Sequence, residues 1–290
     1  MAGGPGFGDL PARFTDPAAA AIAVLPVPYD RTSTWMKGAD RGPQAIIEAS
    51  HQVEWYDIPT ATEVYRRGIA TLEPVLCDEG PERLADLVDE RVAPLLAAGV
   101  LPVVLGGEHS VSIGAIRAAA RHLPGLSVLQ VDAHADTREE YQGSRFNHAC
   151  VMARVRELCP IVQVGIRAVD VSEVPALEPH RVFWAHQIAA AGPSDTSWMD
   201  DAVSPLGDVV WVTIDLDGFD PSVVPATGTP EPGGLGWYQV VGLLERLARR
   251  RRVIGFDVVE LLPSESQGAS SFLAAKLVYR FLSMIFAYKF

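Results

Sequence analysis

The sequence predicts an α/β protein, a three-layer α/β/α domain around a largely parallel sheet. Several short runs are nearly continuous Val, Ile and Leu, without the apolar–polar alternation of a sheet that faces water, so the strands they form are buried on both faces. These runs alternate with segments of helical periodicity, and that alternation requires crossover units that lay helices on both faces of the sheet. No linker, internal repeat or low-complexity tract interrupts the 290 residues, which predicts a single domain.

In chain order, residues 1–18 read as an irregular N-terminal arm and 19–290 as the folded domain. "AIAVLPV" (21–27) is the first strand, and a helix follows over 43–50. Pro81 opens a helix over 81–98 where its missing N–H costs little, and Gly99 stands in the place of a C-cap glycine. "LPVVLGG" (101–107) is the next strand and 109–122 the next helix. "LSVLQVDA" (126–133), a helix over 147–157, "PIVQVGI" (160–166) and "RVFWA" (181–185) come next. "DVVWVTIDLD" (208–217) precedes a helix over 237–250, whose basic end "RLARRRR" (246–252) complements the helix dipole. "RVIGFDVVEL" (252–261) is the last strand. The C-terminal stretch, with a helix over 270–287, is apolar enough to raise the question of a membrane span. Lys276, Arg280 and Lys289 interrupt it, which predicts a packed amphipathic helix and no membrane partner.

Composition narrows the function classes. With 48% hydrophobic residues the chain can bury a full core. Its net charge of −12 and the lack of a basic surface exclude nucleic acid as a partner. Three cysteines, Cys77, Cys150 and Cys159, follow no CxxC pattern and fit a reducing cytosol, and no signal peptide is read at the N-terminus. A cytoplasmic location is the expectation.

Ligands of open parallel sheets bind beyond the carboxyl ends of the strands, so the polar residues after each apolar run are the ones to inspect. These are His109 after Glu108, then Asp132, His134 and Asp136, then Asp215, Asp217 and Asp220, and finally Asp257 and Glu260. Extended backbone puts residues i, i+2 and i+4 on one face, which would let DxHxD and DxD converge. So many buried carboxylates lack solvation unless cations balance them. An oxygen-rich set with two histidines suits Mn²⁺ better than a thiolate-type zinc site. Two such ions about 3.5–4 Å apart can ionise a shared water near neutral pH. A lone strand-end Asp is ordinarily a helix cap and a lone His merely hydrogen-bonded, and His51, His122, His180 and His186 are read that way. Glu108 is read as a packing or supporting residue and Asp220 as the start of a turn.

The motifs "GGEHS", "VDAHADTREEY", "FNHACVM", "VGIR", "TIDLDGFDPSVVPATGTPEPGGL" and "FDVVELLP" together resemble the ureohydrolases, the superfamily of arginase and agmatinase, over residues 22 to 285. The Pro-Glu-Pro segment is most similar to the agmatinase branch. The arginase pattern that receives an α-amino acid is broken in "GSRFNHAC", where Phe146 takes an Asn position. Ala226 and Ala149 stand where many members have Gly, and "LLPSESQGAS" after Glu260 also departs from the common pattern.

The resemblance implies a mostly parallel eight-stranded sheet and a homo-oligomer, a trimer or hexamer. It implies two manganese ions per chain, one held by His109, Asp132, Asp136 and Asp215, the other by Asp132, His134, Asp215 and Asp217. His148 would then shuttle protons, Glu260 would receive the substrate guanidinium, and Asp136 would pass a proton to the leaving nitrogen. The expected reaction is hydrolysis of a small cationic guanidino substrate, agmatine, to urea and putrescine. Arginine, guanidino acids such as guanidinobutyrate, and a non-catalytic scaffold are the competing readings. Glu139 and Glu140 are expected to favour a cationic tail, while Arg138 and Arg145 could each meet a carboxylate if turned inward.

Overall fold

The computed structural model describes residues 5–192, 194–264 and 268–288. Eight strands form one sheet: β1 (Ile22–Val27), β2 (Ile69–Thr71), β3 (Leu101–Gly106), β4 (Leu126–Val131), β5 (Ile161–Ile166), β6 (Val182–Trp184), β7 (Val209–Asp215) and β8 (Arg252–Val259). Every neighbouring pair is parallel, in the order β2-β1-β3-β8-β7-β4-β5-β6. The helices are α1 (Gly42–Ser50), α2 (Pro81–Ala97), α3 (Val111–His122), α4 (Val151–Val155), α5 (Ala185–Ala191), α6 (Ser197–Val203), α7 (Trp237–Arg250) and α8 (Gly268–Ala287).

Two hydrophobic cores lie on opposite faces of the sheet. One contains residues of α1, α6, α7 and α8, the other residues of α2, α3 and α4. Alternate strand residues serve each, so that Val103 and Leu129 face the first while Val104 and Val128 face the second. This is why the strands read as unbroken apolar runs.

All seven expected strands form. The eighth, β2, is a three-residue edge strand, Ile69-Ala70-Thr71, with only one large apolar side chain to mark it. Two seven-residue helices, α5 and α6, were also unexpected, since neither spans enough turns to show a period. The helix expected over 147–157 is shorter: a 3₁₀ turn over His148–Cys150 leads into the five-residue α4. The N-terminal arm contains two 3₁₀ turns. It is anchored by the buried Phe7, whose N–H donates to Thr71 Oγ1, and by Gly8, whose N–H donates to Ser50 Oγ.

Helix α8 is long and apolar enough to cross a membrane, but 72% of its apolar window is buried within the protein. Its Phe281 packs on Phe256 of β8 at 4.9 Å, and Arg280 is buried against Asp57. Most of the apolar residues that raised the question of a membrane span therefore belong to the core.

The carboxyl ends of β1, β3 and β8 are laced together just beyond the strands. Gly107 N donates to Val27 O, Glu108 N to Tyr29 O and Glu260 N to Gly107 O, at 3.0, 2.9 and 2.7 Å. A Cβ on Gly107 would lie 2.0 Å from the Tyr29 carbonyl oxygen, so only glycine allows this approach. Gly107→Ala is expected to cost about 1–3 kcal/mol in urea denaturation, the range for overpacking. An unchanged midpoint would show that the two loops separate freely.

Candidate active site

The four central strands, β3, β8, β7 and β4, lie side by side, and each delivers site residues at its carboxyl end. They contribute respectively His109, Glu260, Asp215 with Asp217, and Asp132 with His134 and Asp136. His109 Nδ1 lies 3.2 Å from Asp132 Oδ2, 3.0 Å from Asp136 Oδ2 and 3.4 Å from Asp215 Oδ2. His134 Nδ1 lies 3.0 Å from Asp217 Oδ2 and 3.8 Å from Asp132 Oδ1. Two groups of potential metal ligands result, His109–Asp132–Asp136 and Asp132–His134–Asp217, with Asp132 common to both.

The residues converge by a route other than the expected one. The β4 ladder stops at Val131, and Asp136 takes the left-handed conformation at φ 54°. Loop curvature, not a continued strand, turns the carboxylates inward. Glu260 is also left-handed, at φ 64°, a strained state for a residue other than glycine and one found mainly at functional sites.

The electrostatics favour cations. Asp132, Asp215, Asp217 and His109 are almost completely buried. Burial, then the charges of Asp136 and Asp217, push the Asp132 carboxyl up to about 7. Burial, then Asp217 and Asp132, hold Asp215 well above its ordinary value. Burial opposes the charge of His134, yet Asp217 beside it raises the imidazole to about 10, and His134 in turn draws Asp217 down to about 2 against its own burial. His109 Nδ1 is buried without a hydrogen bond among the described residues, although three carboxylate oxygens lie within 3.4 Å. One ring nitrogen facing three carboxylate oxygens is the arrangement of ligands that share a central ion. The donor set therefore fits two divalent cations.

Supporting residues fix these groups, and sequence reading missed most of them. The ring of His109 bonds through Nε2 to Thr213 Oγ1 at 2.8 Å, and that hydroxyl donates to Asp257 Oδ1 at 2.5 Å. Asp257 also accepts from Ser112 Oγ and Trp211 Nε1, so it supports the site and is not a ligand. Gln130 Nε2 donates to Asp132 Oδ2 at 2.7 Å, and Gln163 Nε2 donates to Gln130 Oε1 at 2.6 Å. Such outer partners orient ligands. Their signal was present: Gln130, Gln163 and Thr213 are polar residues inside strands that are apolar on both faces. Arg167 donates to the carbonyls of Gly165, Asp217, Phe219, Glu231 and Pro232, tying the loop of "TPEPGG" to a ligand-bearing turn. Asp220 accepts from Ser222, Gly233 and Gly234 and is a turn residue, as expected.

A cavity of about 380 Å³ opens onto this cluster and is also lined by His148 and Glu260. Glu260 Oε1 accepts from His109 N at 2.8 Å, and burial followed by the charge of Glu108 raises its carboxyl well above the ordinary range. Burial holds the His148 imidazole below its usual value. Glu139 and Glu140 do not line this cavity. Glu139 pairs with Arg154 and Arg156, and Arg145 pairs with Glu157, so these residues face elsewhere. Apart from the ligand cluster and Glu260, the acidic residues lining the cavity are Asp170, Glu173 and Glu231. Of the four histidines read as bystanders, His51 reaches Gly6 O and His180 lies exposed beside Glu178.

A sequence profile described as Arginase family matches residues 20–283. This chain belongs to the arginase family. It is 39% identical to N(1)-aminopropylagmatine ureohydrolase of Synechocystis sp., over 92% of this chain and 90% of that protein. It is 34% identical to agmatinase of Pyrococcus horikoshii, over 91% and 92%. The structure of agmatine ureohydrolase of Thermoplasma volcanium superposes with a TM-score of 0.87 at 32% identity, covering 99% of this chain and 96% of that one. The chain is thus an arginase-family hydrolase with the arginase-like α/β fold, as the motifs implied.

For this arginase-family site the raised His134 imidazole and Asp132 carboxyl set a pH dependence. His134 keeps its proton up to about 10 and Asp132 up to about 7. A divalent ion binds only the deprotonated groups, so rising pH removes its competitor. Metal affinity is expected to strengthen from about pH 6 to about pH 9, with at least about one proton released per chain at pH 7. Calorimetry in buffers of different ionisation heat measures the release, and a pH-independent affinity would contradict the arrangement.

Proposed function

We propose that this chain hydrolyses a cationic guanidine without a carboxylate, agmatine or its N1-aminopropyl derivative, to urea and a primary amine. The observation that carries the reading is the state of Arg138, the one Lys or Arg among the described cavity-lining residues. Its guanidinium lies 4.5 Å over the Tyr141 ring and pairs with Glu173 at 3.5 Å and Asp170 at 3.8 Å. Among the described lining residues no Lys or Arg is left for an α-carboxylate, whereas the Glu231 carboxylate is engaged by no Lys or Arg there and can meet an ammonium tail. The names of the relatives, N(1)-aminopropylagmatine ureohydrolase and agmatinase, agree with this preference.

His109, Asp132, Asp136 and Asp215 would hold one divalent ion, manganese in this reading, and Asp132, His134, Asp215 and Asp217 the other. Bound there, two such ions supply counter-charge and lower the pKa of water into the neutral range. Glu260 receives the guanidinium on the oxygen that His109 N–H leaves free, through charge-assisted hydrogen bonds. Asp136 accepts a proton from the attacking water and delivers it to the leaving nitrogen as the C–N bond breaks. His148 exchanges protons with the departing amine and solvent. Retention of the ligand cluster together with His148 and Glu260 argues against a scaffold. The free thiols of Cys77, Cys150 and Cys159 suit a cytoplasmic enzyme. A homo-trimer or homo-hexamer is part of the proposal on family grounds, and a monomer by light scattering would remove it.

Urea release in the presence of Mn²⁺ tests the substrate. Agmatine or aminopropylagmatine is expected to exceed arginine and guanidinobutyrate in kcat/KM by about tenfold or more, the effect of one unpaired buried charge. A preference for either carboxylate-bearing guanidine would overturn the assignment. Asp132→Ala should lose metal and activity together, by about 100-fold or more in kcat/KM, while His51→Ala keeps both. Metal analysis after desalting, run beside the urea assay, separates the two outcomes.

A further inference from the structure

We propose that Thr32 and Glu108 are positioning residues that fix the tautomer of His148, an inference that rests on the use of His148 as the proton carrier. Three separate segments meet here: the loop after β1, the turn after β3 and the 3₁₀ turn at His148. Glu108 is completely buried and accepts hydrogen bonds at both carboxylate oxygens. Its Oε2 takes the N–H groups of Thr32 at 2.5 Å and Ser33 at 2.8 Å, with the Ser33 hydroxyl at 3.5 Å. Its Oε1 takes the hydroxyls of Thr32 and Ser110, each at 2.6 Å.

With donors around both oxygens the carboxylate is the acceptor in every contact, so the single proton of the Thr32 hydroxyl is committed to Glu108. The Thr32 oxygen then meets His148 twice, at the backbone N (3.0 Å) and at ring Nδ1 (3.1 Å). Thr32 has no second proton to give, so Nδ1 must be the donor. The neutral imidazole carries its proton on Nδ1 and its lone pair on Nε2, in a ring that lines the cavity. That is the form able to take up a proton at Nε2. The opposite tautomer would present an N–H there and would stall the exchange, as happens when the partner that orients a catalytic histidine is altered.

Glu108→Gln tests the direction of the chain. The two backbone N–H groups on the Oε2 side demand an oxygen there, which places the new amide NH₂ against Thr32. Thr32 must then accept from that amide and donate to His148 Nδ1, inverting the tautomer with the shape preserved. Thr32→Val removes the hydroxyl isosterically, and Thr32→Ser keeps it.

The experiment measures urea release from agmatine by the Mn²⁺-loaded protein, with each change made alone and on a His148→Asn background. Thr32→Val and Glu108→Gln are each expected to lower kcat by about 10- to 100-fold, with KM within about twofold and metal content unchanged. Thr32→Ser is expected to stay within about threefold of the parent, since its hydroxyl makes the same bonds. On the His148→Asn background Thr32→Val is expected to add no further loss, because it acts only through the imidazole. An equal fractional loss in both backgrounds, or loss of metal in Thr32→Val, overturns the pairing and leaves the role of His148 standing. Full activity of His148→Asn removes both.

Discussion

One constraint shapes the whole molecule: anionic side chains gathered in a buried place need positive charge that the chain itself does not supply. Asp132, Asp136, Asp215, Asp217 and Glu260 are all buried, and the neighbouring His109 and His134 cannot neutralise them all. A free carboxylate in such a place would take up a proton, as the raised groups show. Divalent ions resolve the conflict, and the fold is organised to offer them oxygens. Four adjacent parallel strands point their carboxyl ends to one spot, and the two cores hold those strands rigid on both faces. The polar cluster is thus built on strands covered by a core on each face.

Much of this was legible in the sequence. Buried strands announce themselves as apolar runs, and several acids and histidines spaced two apart directly after such runs exceed what caps and turns require. That contrast picked out His109, the DxHxD and DxD groups and Glu260, and the structure brings all of them into one cluster. The short pieces β2, α5 and α6 were not legible, because Ile69-Ala70-Thr71 has only one large apolar side chain and seven residues span too few turns to show a helical period. The direction of side chains was illegible too. Glu139 and Arg145 were placed near the substrate by sequence proximity, yet each is satisfied by partners on and after α4. Arg138 belongs to the same stretch and turns toward the cavity, so proximity alone could not separate them.

The layer outside the ligand set was hidden for a different reason. Gln130, Gln163, Thr213 and Thr32 are ordinary residues whose meaning comes from long-range partners. Gln163 and Gln130 meet only because β5 lies beside β4, and Thr32 reaches His148 across 116 positions of chain. Topology creates these contacts, and no local window contains both members. A polar side chain inside a two-faced apolar strand is nevertheless a usable sign that something nearby must be held in place.

The contacts of Arg167 have a consequence for how such an enzyme changes over time. This guanidinium grips main-chain carbonyls on both the Asp217 turn and the Glu231 loop, and it reads no side chain in either. Where Arg167 holds it, the loop is fixed through its main chain, while Gly233 (φ 81°) and Gly234, packed on Phe219 and Asp220, must stay glycine. Substitutions at the cavity wall can alter what the pocket accepts without disturbing the turn that bears Asp217. Recognition and chemistry are mechanically separable here, so new substrates can be tried by drift at the wall while the hydrolytic apparatus is inherited intact.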